Sequence, residues 1–284
     1  MRLLACCLVC LVTGNRQSRP WIVSDELWSL VEPLLPKPGP KKVEGRPRVP
    51  DRQARCGILF VLHTGIQWEY LPQELGFGSG MTCWRRLAAW NEAGVWDRLH
   101  ALLLEKLRSK DRLGWERAVI DSSHVRAAPA GPKSGPSPVD RARPGSKHHL
   151  IVDGQGIPLA VSLTGGNRND VTQLEPLLDK IPAVAGRVGR PRRRPDALLA
   201  DRGYDHDKYR RLLWQRGIRP VIAKRGEPHG TGLGIFRYVV ERTIAWLHGF
   251  RRLRVRWERR DDIHEGFLGL AVCLITYRHV QRLC

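Results

Sequence analysis

Three acidic residues, Asp121, Asp201 and Glu241, stand in local settings that suit metal-assisted chemistry. Asp121 ends the apolar run A-V-I-D, Asp201 ends A-L-L-A-D, and Glu241 lies inside the helical pattern F-R-Y-V-V-E-R-T-I-A-W-L. Carboxylates at two strand ends and on one helix can converge on Mg²⁺, a hard cation that takes oxygen ligands and keeps positions open for substrate phosphates. The rest of the chain favours such substrates. Its 48 Lys and Arg against 28 Asp and Glu give +20 over 284 residues, a field that attracts polyanions. A polycation with an acidic metal site reads as an enzyme that cuts or joins nucleic acid. Each acid also has a plainer reading. Asp121 could simply end a strand, Asp205 or Asp207 could be the ligand in place of Asp201, and Glu241 could pair with Arg237 one turn away.

The helix carrying Glu241 has a definite polarity. At about 100° per residue, Arg237, Glu241, Ala245, His248 and Arg252 share one stripe, while Phe236, Val240, Ile244, Leu247 and Phe250 lie on others. One face is core. The other offers a carboxylate flanked by Arg237, His248 and Arg252, candidates for contacts to DNA phosphates.

The elements that must position these residues follow from capping and periodicity. Ser24 caps a first helix ended by Pro33 and Pro36, Asp51 caps a second over Arg52–Thr64 closed by Gly65, and Thr82 caps a third over Cys83–Glu92. A fourth runs from Trp96 to Leu107. On the third, Trp84, Leu87 and Ala88 are expected inside, leaving Arg85 and Arg86 outward. Two helices joined by a turn with arginines on the second suit a helix-turn-helix reader; a plain helical bundle is the alternative.

From Trp115 the pattern turns to strands: Ala118–Ile120 up to Asp121, then a hairpin of His149–Val152 and Pro158–Leu163 around Asp153-Gly154-Gln155-Gly156. Later come strands at Ala197–Ala200 and Arg219–Ala223. Helices are expected over Val171–Lys180, Lys208–Gln215, Phe236–Phe250 and His264–Val280. Between Pro129 and Gly145 the prolines predict an irregular, mobile loop. The basic loop Arg187–Pro195, with Arg190, Arg192, Arg193 and Arg194, is expected against DNA phosphates. The succession makes a mixed α/β chain: a helical DNA-binding region (20–110), then a ribonuclease-H-like mixed sheet with helices on its faces (115–284).

Seven scattered cysteines, an odd number, suggest free thiols in a reducing compartment, hence the cytoplasm with its nucleoid DNA. Leu3–Val12 resembles a signal-peptide core but is too short to span a bilayer. A start codon set too far upstream accounts for it better, leaving residues 1–19 as a non-structural extension and the protein without a membrane segment.

The phrases A-V-I-D-S-S-H-V, S-L-T-G-G-N-R-N-D, L-L-A-D-R-G-Y-D and R-Y-V-V-E-R-T-I-A-W-L-H-G-F-R-R-L resemble those of bacterial insertion-sequence transposases of the IS-five family, from about Trp21 to the C-terminus. The resemblance implies that Asp121, Asp201 and Glu241 form a DDE triad holding two Mg²⁺ ions, with Mn²⁺ able to substitute. It implies binding to inverted terminal repeats and target DNA, strand cleavage and strand transfer, and a homo-oligomer that pairs two ends. The family's Tyr-x2-Arg-x3-Glu-x6-Lys signature matches at Arg237 and Glu241 only: Gly234 stands at the Tyr position and His248 at the Lys position. Three rivals remain: a ribonuclease-H-like repair nuclease, a non-catalytic DNA-binding regulator, and a secreted basic protein cleaved after about residue 10.

Overall fold

The computed structural model describes residues 19–37, 39, 47–226 and 233–284; the expected extension, apart from Arg19, lies outside the described residues. Four helices come first: α1 (Asp25–Val31), α2 (Asp51–Thr64), α3 (Gly80–Glu92) and α4 (Val95–Ser109). Ser24 caps α1 as expected, its Oγ accepting from Leu27 N at 3.3 Å, and Gly65 closes α2 in the left-handed region at φ 76°. The third helix starts earlier than the sequence suggests, because Ser79 rather than Thr82 is the cap and accepts from Thr82 N at 3.2 Å. Gly80 opens that helix where a Cβ would sit 1.7 Å from Trp68 O, so no other residue fits.

Residues 65–79 separate α2 from α3 and hold two 3₁₀ turns. The short turn that a helix-turn-helix requires is absent between them. Arg85 is exposed as expected, but Arg86 is not free for DNA: its Nη1 lies 2.7 Å from Asp51 Oδ1, tying α3 to the start of α2. Trp84 is only half-buried, with the Arg260 guanidinium 5.2 Å above its ring. Cys83, Leu87 and Trp90 form the inner face.

The strands and remaining helices are β1 (Ala118–Ala127), β2 (Gly135–Pro136), β3 (Pro144–Asp153), β4 (Pro158–Gly165), α5 (Leu174–Lys180), β5 (Ala197–Ala200), α6 (Asp207–Gln215), β6 (Arg219–Ile222), α7 (Leu233–Gly249), β7 (Val255–Arg256) and α8 (Asp261–Leu283). The sheet order is β2-β3-β1-β5-β6, with β4 also on β3 and β7 on β1. Pairs β1–β3 and β3–β4 are antiparallel, whereas β1–β5 and β5–β6 are parallel. A three-stranded antiparallel unit extended by strands reached through helices is the ribonuclease-H-like plan, so the expected mixed α/β class holds.

Two details differ from the sequence reading. First, β1 does not stop at Asp121. It runs on through S-S-H-V-R-A because β3 pairs with it from Ala118↔Asp153 to Arg126↔Gly145. Second, the proline-rich stretch is anchored. Lys133 reaches Glu265 Oε1 at 2.8 Å and Asp261 Oδ2 at 3.3 Å, and its carbonyl accepts from Ser146 Oγ at 2.7 Å.

Alternation along the strands splits the core into two layers. Val119, Leu150, Val152 and Leu199 face α7 and α8, and that cluster continues into α1–α4. Ile120, Ile151, Leu198 and Ala200 face α5 and α6. The N-terminal helices therefore share a core with one face of the sheet.

Arg55 of α2 is anomalous there. Its side chain is fully buried and none of its three nitrogens has a hydrogen-bond partner. Burial lowers its pKa to about 10, so it remains charged at neutral pH. A desolvated, unpaired guanidinium opposes folding, and Arg55→Met is expected to add about 1–4 kcal/mol. Thermal melting checks this: a lower Tm in the variant would contradict the account.

Candidate active site

The register of two neighbouring strands brings the first two acids abreast. In the parallel pair, Ala118 lies beside Leu198 and Val119 beside Leu199; continued by two positions, the same offset sets Asp121 level with Asp201, on strands ~4.8 Å apart. Parity puts both on the face of Val119 and Leu199, the face covered by α7. Asp201 follows the last residue of β5 and caps a 3₁₀ turn, its Oδ1 accepting from Gly203 N at 2.9 Å.

Asp121 is half-buried within this arrangement. Its Oδ1 accepts from Ser122 N at 2.8 Å and its Oδ2 from Arg237 Nη2 at 3.3 Å. Burial raises its pKa and the nearby Asp201 charge adds to that, while Ser122 N–H and Arg237 pull the other way. Two carboxylates that repel one another in a partly desolvated corner are a donor set that a divalent cation would relieve.

Helix α7 approaches this pair along one stripe. Arg237 touches Asp121, and about three turns further on His248 Nε2 lies 3.3 Å from Ser123 Oγ. At ~100° per residue Glu241 falls on the same side as these two contacts. It is exposed, and its side chain has no hydrogen bond or ion pair among the described residues. Among the described residues no three His, Cys, Asp or Glu side chains form a metal-holding group. The structure thus brings Asp121 and Asp201 together, and leaves Glu241 unpaired on the facing helix instead of in a closed three-acid cage. Asp205 is not a substitute ligand, because Arg210 occupies it at 2.7 Å and Arg225 N at 2.8 Å.

The flanking cations divide sharply. Arg237 keeps its Nε buried without a partner, a spare donor beside Asp121. Burial, helped by the Arg254 charge, lowers the His248 pKa below the usual histidine value. Arg252 is not a DNA contact at all. It is buried, forms an ion pair with Glu258 at 2.7 Å, and donates to Ile66 O at 2.7 Å. Its place on the Glu241 stripe is lost because α7 ends at Gly249 and the chain then turns inward.

Tyr204 went unmarked in the sequence reading, although it lies in the phrase A-D-R-G-Y-D. It is buried, its hydroxyl has no partner, and burial together with the charges of Asp170, Asp121 and Asp201 holds its pKa well above normal. Its ring packs in the core layer of α5 and α6, on the other face of the sheet from the two acids. On the opposite face of β3, Lys147 pairs with Asp170 at 2.9 Å, and Asp170 lies 3.8 Å from His149 Nδ1.

The basic loop lies elsewhere. It precedes β5, whereas Asp201 follows it, so the two sit at opposite ends of that strand. Arg192 pairs with Asp196 and stands 5.5 Å from the Trp115 ring; Arg194 Nη1 donates to Arg216 O at 2.7 Å.

Residues 23–100 match the family described as "Putative transposase of IS4/5 family", and residues 116–276 match "Transposase DDE domain". The "Putative transposase for insertion sequence element IS402" of Burkholderia cepacia is 61% identical over 166 residues, which cover 58% of this chain and 77% of that protein. The "Insertion element IS402 uncharacterized 16.2 kDa protein" of the same organism is 56% identical over 119 residues, 41% of this chain and 81% of that protein. Among solved structures, the Mos1 strand transfer complex aligns over 86% of this chain and 79% of that chain at 13% identity. The TM-score of that alignment is 0.34.

Proposed function

This chain belongs to the insertion-sequence DDE transposases, enzymes that cleave and transfer DNA, and on that premise we propose that it binds the terminal inverted repeats of its own element and performs divalent-metal-dependent strand cleavage and strand transfer there. The observation that carries the reading is the β1–β5 register, which sets Asp121 level with Asp201 on the α7 face, next to Arg237.

The residues fit a divalent cation, since Mg²⁺ is commonly held by one or two carboxylates with substrate phosphates completing its shell. Asp121 and Asp201 are the proposed holders, with Glu241 joining from α7. Mg²⁺ is the proposed ion, as one or a pair, and Mn²⁺ the substitute. When bound, the metal would activate water or a 3′-hydroxyl and stabilise the leaving oxygen.

The chain's own residues supply positioning. Arg237 orients the Asp121 carboxylate and brings its guanidinium charge toward a phosphate bound beside it. The hydroxyl of Ser123, on the same face as Asp121, is a neutral donor nearby, suited to a site where charge develops on phosphate oxygens. Exposed Arg85 of α3 adds a phosphate contact from the region 20–110, and 115–284 carries the chemistry. Two copies would bring two ends together, in the cytoplasm where the DNA lies. No helix among the described residues is long and apolar enough to cross a membrane.

The test is a nicking assay with duplex carrying the element's end. Cleavage should require Mg²⁺ or Mn²⁺ and be confined to the repeat. Cutting of any duplex alike would favour a repair nuclease, and binding without cutting a regulator. Arg237→Gln is expected to lower single-turnover cleavage about a hundred-fold, the scale for removing one positioned donor, while metal-free binding changes far less. An unchanged cleavage rate would remove Arg237 from the site.

A further inference from the structure

The arginine loop is concave. Arg108, Arg190, Pro191, Arg192, Arg193, Arg194 and Asp196 enclose a recess of ≈ 570 Å³. Asp196 is taken up by Arg192. The other cations have only carbonyl partners: Arg108 donates to Val184 O and to Arg190 O at 3.4 Å, Arg193 to Asp179 O at 3.5 Å, and Arg194 to Arg216 O. The Arg190 side chain makes no hydrogen bond or ion pair among the described residues, and both it and Arg193 are exposed. Four guanidinium groups without a carboxylate among the described residues therefore line one recess.

Its position gives this charge a meaning. Asp196 N donates to Trp115 O, and Arg219 N to Asp196 O, so the recess stands where β1, β5 and β6 begin. Asp121 and Asp201 stand near or beyond the far end of the β1–β5 pairing. Five residues of extended chain from 196 to 201 separate them by ~16 Å. The body of the sheet, with helices on both faces, lies between.

We propose that this recess is a second DNA site, which grips the phosphate backbone of a duplex segment that is not the one being cut. Guanidinium forks suit phosphate oxygens, and an array of them binds without regard to sequence. A duplex held here is either a length of the same end reached by bending or a separate DNA. The inference rests on the cleavage site proposed above for its reference point, but not on cleavage itself.

The full-length chain tests it by two measurements without divalent ions. The double variant Arg190→Gln, Arg193→Gln is expected to flatten the slope of log K against log salt by about two, close to 0.9 for each lost phosphate contact. Benzoylphenylalanine at Val188, the fully exposed tip of the loop, should photocrosslink at least about five base pairs from the scissile phosphate, since 16 Å exceeds four steps of 3.4 Å, or to a second duplex. An unchanged slope, the absence of crosslinks, or crosslinks at the scissile phosphate would each overturn the proposal. A chain that binds and crosslinks in this way yet never cuts would defeat the cleavage reading and leave the second site standing.

Discussion

Asp121→Asn is expected to slow DNA cleavage by about a thousand-fold or more, about 4 kcal/mol in barrier, while making the metal-free protein more stable at neutral pH. The loss follows from chemistry. An amide is a weak metal donor with no charge, and Asp121 is the acid that both Arg237 and the neighbouring Asp201 sense. The gain follows from burial, which raises the folded-state pKa above the ordinary value of 3.8. A carboxylate raised in this way contributes no penalty below pH 3.8. The penalty grows as pH rises through the folded-state value and is complete at pH 7, and asparagine carries none of it. Melting curves at pH 7 and near pH 3.5, beside a nicking assay, separate the two effects. Parental cleavage by the variant would end the assignment, and a lower Tm at pH 7 would refute the electrostatic account of the site.

Glu258→Ala should cost about 3–5 kcal/mol of folding stability, the usual penalty for orphaning a buried charge. Glu258 and Arg252 are each 4% exposed in their side chains. Oε1 accepts from Arg252 Nε at 2.7 Å, and His264 Nδ1 lies 3.2 Å from Oε2. His264 continues to His148 of β3 at 2.9 Å, and Arg252 to the carbonyls of Gly65 and Ile66. The network thus ties the end of α2 to the catalytic sheet through the start of α8.

Burial works to raise the Glu258 pKa, but the His264 hydrogen bond and the Arg252 charge outweigh it, and the net shift is downward from 4.5. Its stabilisation is therefore present above pH 4.5 and is lost as pH falls through the folded-state value. Urea titrations at pH 7 and pH 4 should show the Glu258→Ala deficit shrinking at the lower pH. A deficit independent of pH would mean that the charge is not the source. Arg252→Ala offers a matched control: lost stability marks it as structural, whereas intact stability with weakened DNA binding would return it to the DNA-facing set.

Much of the catalytic frame is readable from local pattern. Short apolar runs ending in Asp121 and Asp201 mark strands. Periodicity marks α7, Ser24 and Gly65 mark helix ends, and D-G-Q-G marks the hairpin, where Gly156 needs φ +89°. Each of these depends on residues within a few positions of one another. The sequence could therefore determine them alone: a charged α/β protein, two acids on strands and a third on a helix.

What the tertiary structure decided concerns partners distant along the chain. Arg85, Arg86 and Arg252 all looked outward, yet Asp51 claims Arg86 and Glu258 claims Arg252. His248 is a candidate phosphate contact by its stripe, and only the fold shows that burial and Arg254 lower its pKa. The continuation of β1 past Asp121 required β3 as its pairing partner. That the arginine loop lies away from Asp201 follows from its place before β5, but that Asp121 falls at the Asp201 end depended on the parallel pairing of β1 with β5, which no local pattern encodes. Charge state and exposure are set by whatever the fold packs against a side chain. Residues brought together from opposite parts of the sequence exert those fields only after folding is complete.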